Sequence, residues 1–198
     1  MTRLATAAAC YAEARRLLTG ADAAQVAEGL PEALCGADQP GRRVPVARFL
    51  PDLPALAAAR TRPLVEAFCA APDLTWNQSY TAEDFGAAFL DNYGWVEFLG
   101  PYGPAPSDTH RLAIVLFGPG THYPAHAHGP EEVYIPLAGA IDWHLGDTTR
   151  RMGPGELLHH APWQPHGFTT GATPAALLAL WRGGDLAAKS TILEEAQP

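Results

Sequence analysis

His126 and His128 stand two residues apart, and on an extended segment that spacing puts both imidazoles on one face of a sheet, because strand side chains alternate. After the Gly129-Pro130 turn the chain continues Glu131-Glu132-Val133-Tyr134. Glu132 and Tyr134 again share a face, so a neighbouring strand can aim a carboxylate and a phenol at the same point. A third imidazole is available from His166, in Pro162-Trp163-Gln164-Pro165-His166, beyond a turn marked by Gly153-Pro154-Gly155. Three imidazoles and one carboxylate suit a divalent first-row ion such as zinc, iron, manganese, nickel or cobalt, with positions left for water or substrate.

The flanking sequence falls into two regimes. Up to about residue 74 it is rich in Ala, Leu and Arg with helical spacing, as in Leu4, Ala8, Tyr11, Ala14, Leu17 and later Leu64, Phe68, which predicts short helices between Pro and Gly turns. From residue 75 onward, aromatic and β-branched runs at 94–99, 112–117 and 132–137 alternate with Gly/Pro turns. That pattern predicts a small antiparallel barrel or sandwich. The expected fold is therefore mainly β, with a helical extension over 1–74 packed on a barrel over 75–198. The stretch 185–197 reads as a strand with a short helix or a frayed end.

A net charge of −8 with only 13 Lys and Arg argues against a nucleic-acid partner. No apolar run is long enough to span a membrane, and Glu13, Arg15 and Arg16 interrupt the start before a secretory core could form. A cytoplasmic protein is expected. Cys10, Cys35 and Cys69 are read as free buried thiols.

The segment Gly120-x5-His126-x-His128-x3-Glu132-x6-Gly139 resembles the first cupin motif at every defined position. Gly155 and His166 stand as in the second motif, although Ala161, Trp163 and Thr170 occupy places where that family often has Pro, Gly and Asn. The resemblance implies a cupin barrel, a double-stranded β-helix of jelly-roll type. Within the cupins the chain is similar to bacterial dimethylsulfoniopropionate (DMSP) lyases of the short form with a helical N-terminal part. The likeness rests on Tyr123, Tyr134, the Asn92-Tyr93-Gly94-Trp95 segment and Trp181.

The likeness implies β-elimination of DMSP to dimethyl sulfide and acrylate, with His126, His128, Glu132 and His166 holding one metal ion. DMSP, and at most a second copy of the chain, are the partners expected. An ion that binds the substrate carboxylate would acidify the adjacent hydrogens and favour a nearby phenolate. Tyr134 is the candidate base, and Tyr123 is its rival or a substrate-holding residue. Trp95, Trp163 and Trp181 are assigned to a wall around the sulfonium.

Before the resemblance is counted, Tyr134 reads equally well as a packing residue. His122 is read as a supporting or surface residue, and His110, His144, His159 and His160 as surface or turn residues. The same ligand set would also serve a dioxygenase, a sugar isomerase or a cupin that binds a small acid or sugar without turnover.

Overall fold

The computed structural model describes residues 2–20 and 23–193, so the end of the 185–197 stretch lies outside the described residues. The helical start is built as its residues dictate. Helix α1 (Arg3–Leu18) opens on Thr2, whose hydroxyl accepts from the Ala5 N–H at 3.2 Å, and it buries the stripe Ala7, Cys10, Tyr11, Ala14 and Leu17. Three helical turns follow at α2 (Ala24–Ala27), α3 (Leu53–Leu56) and α4 (Arg62–Cys69), with a 3-10 segment over Pro45–Asp52.

Two antiparallel sheets follow. One contains, in spatial order, β1 (Trp76–Asn77), β2 (Tyr93–Leu99), β3 (His110–Phe117), β10 (Ala175–Arg182), β5 (Glu131–Ala138) and β8 (Leu158–His160). The other contains β11 (Thr191–Ile192), β4 (His122–Ala127), β9 (His166–Thr170), β6 (Ile141–Leu145) and β7 (Thr148–Met152). This is the barrel that the motifs imply. Among the described residues, no helix is long and apolar enough to cross a membrane.

Both faces of the first sheet are covered. Val96, Phe98, Leu112, Ile114, Leu116, Val133, Ile135, Leu178 and Leu180 join Tyr11, Leu53, Leu64 and Phe68 in one core beneath the helices. Each such aliphatic side chain contributes about 1.5–3 kcal/mol on full burial. The alternate residues Trp95, Tyr134, Leu177 and Ala179 face the barrel interior with Tyr123, Trp143 and Phe168. The Thr61 hydroxyl donates to the Leu137 carbonyl at 2.6 Å, and the Gly139 N–H to the Leu56 carbonyl at 3.1 Å, fastening the helical region to the strand that carries Glu132.

The motif glycines meet geometric demands. Gly139 has φ 70°, and a Cβ there would stand 2.2 Å from the Pro174 carbonyl oxygen, so only glycine fits.

One element differs from expectation. Helix α5 (Ala82–Asp91) lies inside the segment assigned to the barrel, between β1 and β2. Thr81 and Asp84 form a capping box at its start, and Phe85 and Phe89 pack on Tyr80, so local capping and an aromatic stripe outweigh the surrounding strand pattern. The cysteines are free as expected, but Cys35 is exposed while Cys10 is buried.

Candidate metal centre and cavity

The motif histidines converge because the backbone fixes each ring. His126 Nδ1 lies 3.0 Å from the Pro124 carbonyl, His128 Nδ1 2.9 Å from that of Pro130, and His166 Nδ1 2.8 Å from that of Gln164. A carbonyl only accepts, so each Nδ1 carries a proton, which leaves Nε2 as the atom each ring can turn toward an ion. His126 and His166 are paired across β4 and β9, and the ligand atoms of His126, His128 and His166 all lie within 4.8 Å of one another. Burial, then the neighbouring His166, hold His126 neutral, its pKa pushed down to about 3.

Glu132 closes the cluster. Its Oε2 lies 3.2 Å from His128 Nε2 and 3.0 Å from His166 Nε2, while Oε1 accepts from Trp181 Nε1 at 2.5 Å. Burial alone would raise its carboxyl; the hydrogen bond and charge of His128 outweigh that and hold it well below the usual range. The His166 Nε2 nitrogen is buried and, despite this proximity, makes no aligned hydrogen bond among the described residues. A lone pair withheld from water and left unmatched costs free energy that a cation would recover. The residues therefore fit a metal ion.

His160 corrects the sequence reading. It is fully buried, stacked on His166 at 3.8 Å between ring centroids, and paired across the strands with Glu132. Its Nε2 accepts from Trp143 Nε1 at 3.0 Å, and its Nδ1 lies 3.4 Å from Glu132 Oε2. With Glu132 and His166 it forms a second group of adjacent donors. His110 is likewise buried rather than exposed, whereas His159 is exposed and bonded to Glu131.

A cavity opens beside the cluster, lined by Glu132, Tyr134, Tyr123, Tyr80, Tyr93, Trp95, Trp181 and Arg111. Its floor follows from register. Glu97, Ala113, Ala179, Tyr134 and Leu158 stand in one row across β2, β3, β10, β5 and β8, and the two alanines leave room in front of the Tyr134 ring. Tyr134 is buried; burial, then the Glu132 charge, push its phenol well above the usual range, so without a cation it keeps its proton. The Tyr123 hydroxyl meets that of Tyr80 at 2.6 Å, and its ring lies 4.1 Å from His126. Burial raises this phenol too.

Of the three tryptophans assigned to the wall, Trp95 and Trp181 line the cavity and Trp163 does not. Trp163 is 63% exposed and has φ 62°, in the turn position where a glycine is common. Its N–H donates to the His128 carbonyl at 2.8 Å, so the backbone rather than the indole supports the site. A left-handed non-glycine residue costs about 1–2 kcal/mol, against about 0.5–1 kcal/mol for glycine's extra chain entropy. Trp163→Gly is therefore expected to change stability by less than about 1 kcal/mol, with turnover and metal content retained. Thermal unfolding and turnover check this, and a collapse of turnover would return the indole to the site. Tyr80, Tyr93 and Arg111 are cavity residues that the site assignment from sequence did not include.

Comparison with known proteins gives the family and the fold. The model of the dimethylsulfoniopropionate lyase family matches residues 19–178. The chain is similar to dimethylsulfoniopropionate lyase DddQ of Ruegeria pomeroyi, 33% identical over 156 residues and covering 78% of each chain. The crystal structure of that DMSP lyase superposes with a TM-score of 0.79 at 29% identity, over 91% of this chain and 95% of the other. A chain from the crystal structures of the DMSP lyases RdDddP and RnDddQII superposes with a TM-score of 0.88 at 31% identity, over 98% of this chain and all of the other.

Proposed function

The chain belongs to the dimethylsulfoniopropionate lyase family, and from that membership we propose that it cleaves DMSP to dimethyl sulfide and acrylate, with Tyr134 as the base. The observation that carries this reading is the placement of a buried phenol over an alanine floor, next to three imidazoles whose ligand atoms lie within 4.8 Å of one another. His126, His128, Glu132 and His166 would hold a divalent first-row ion. When bound, such an ion supplies the positive charge that favours phenolate at Tyr134 and stabilises charge developing beside a bound carboxylate.

The chain's own residues do the remainder. The Tyr134 oxygen takes a proton from the carbon next to the carboxylate. That C–H electron pair becomes the new carbon–carbon double bond, and the carbon–sulfur bond breaks with its electrons remaining on sulfur. A cationic sulfonium thus leaves as neutral dimethyl sulfide, and acrylate remains. Tyr80 and Tyr123 hold each other through their hydroxyls at the cavity wall, which fixes the Tyr123 ring against His126. The aromatic lining excludes bulk water and strengthens electrostatic interactions inside. The same reading places the reaction in the cytoplasm, with the small zwitterion as partner.

Proton NMR of DMSP incubated with the metal-loaded protein, alongside an oxygen electrode, tests the reaction class. Acrylate and dimethyl sulfide should form in equal amounts without oxygen uptake. Oxygen consumption coupled to substrate loss would instead indicate a dioxygenase.

A further inference from the structure

We propose that Arg111 is the anchor for the substrate's carboxylate, and that it turns the sulfonium end toward the tyrosines. This rests on the lyase reading for the identity of the substrate. The placement follows from register. Arg111, Trp181, Glu132 and His160 stand in one row across β3, β10, β5 and β8, so Arg111 faces the cavity with only the Trp181 strand between it and Glu132. A carboxylate over Trp181 lies between the guanidinium and the histidine cluster.

The guanidinium is held in place before any ligand arrives. Its Nε lies 2.7 Å from Glu97 Oε2, and Nη1 donates to the Leu186 carbonyl at 3.2 Å. Glu97 is itself buried, with Oε1 accepting the Tyr102 N–H at 2.6 Å. The Arg111 side chain is only 12% exposed, with Cζ 4.4 Å from the Trp95 ring centre and 5.1 Å from that of Trp181. A buried carboxylate is costly unless paired, and here it orients a fork of N–H donors suited to a second carboxylate.

The same contacts revise the assignment of the aromatic wall. The Trp95 and Trp181 rings already lie against a cation of the protein's own, so a sulfonium placed there would meet like charge. The Tyr80 ring likewise carries Lys189, with Nζ 5.0 Å from its centre, so the Tyr93 and Tyr123 rings, which also line the cavity, remain for it. Lys189, which also lines the cavity, is paired with Asp84 at 2.7 Å, as Arg111 is with Glu97.

Isothermal titration of acrylate and, separately, of the trimethylsulfonium ion into metal-loaded protein tests the assignment. Because Arg111→Met alone strands Glu97 in the interior, the variants are Arg111→Met with Glu97→Gln, and Arg111→Lys. Loss of a charge-assisted hydrogen bond predicts roughly tenfold or greater weakening of acrylate in the double variant. A smaller loss is expected in Arg111→Lys, which keeps the charge without the fork. Trimethylsulfonium should bind both variants as well as wild type or better, and the DMSP KM should rise with the acrylate Kd while metal content stays normal. Equal weakening of both ligands, or unchanged acrylate binding in both variants, would overturn the proposal. Arg111-dependent acrylate binding by a wild type that releases no dimethyl sulfide would refute the lyase reading and leave the anchor standing.

Discussion

Tyr134→Phe is expected to lower turnover of DMSP by roughly 100- to 10,000-fold, the range typical of a lost general base, with metal content unchanged. The substitution keeps the ring, which meets His160, His166 and Phe168 edge-on, and removes only the oxygen. The neighbouring Ala113 and Ala179 are too small to supply a substitute proton acceptor from the floor. Tyr123→Phe is the control. Its hydroxyl is already engaged with Tyr80, so its loss should act on substrate positioning and leave any exchange of the α-hydrogens with deuterated solvent intact. Exchange that survives in Tyr134→Phe and disappears in Tyr123→Phe would transfer the base to Tyr123.

The second large effect is on the metal. His126→Ala, His128→Ala and His166→Ala should each leave the purified protein with a small fraction of the wild-type metal content, because three imidazoles oriented through their Nδ1 atoms define the site. Glu132→Ala should weaken binding less completely, since water can replace a carboxylate oxygen. His160→Ala is expected to fall between wild type and these variants, with affinity lowered roughly 10- to 100-fold, as for a residue that supports ligands from behind. His160 stacks on His166 and its Nε2 is already used by Trp143. Elemental analysis of the folded variants reads all five. Full occupancy in any of the three imidazole variants would remove that residue from the ligand set.

Much of this was legible in the chain itself, and the misses have physical causes. The strands at 94–99, 112–117 and 132–137 were visible as aromatic and β-branched runs because helices cover one face and a cavity core the other. His126, His128, Glu132 and Tyr134 were readable because strand alternation links residues close in sequence. Arg111 and His160 were not, because their meaning comes from pairing with Trp181 and Glu132 on strands far away in the chain. Leu158 and His160 do alternate across His159, but which face they share is decided only by the partner strand. Helix α5 carried its signal, Thr81 and Asp84 ahead of Phe85 and Phe89, within a region whose composition favours strands. The three tryptophans look alike in sequence, and the turn geometry at Trp163 separates it from the two that reach the cavity.

Headspace detection of dimethyl sulfide over purified, metal-loaded protein given DMSP tests the central claim most directly. The account predicts steady release that stops when a chelator strips the ion, returns when metal is restored, and falls to near background in Tyr134→Phe. Folded wild-type protein with full metal content that releases no more dimethyl sulfide than the Tyr134→Phe variant would contradict it.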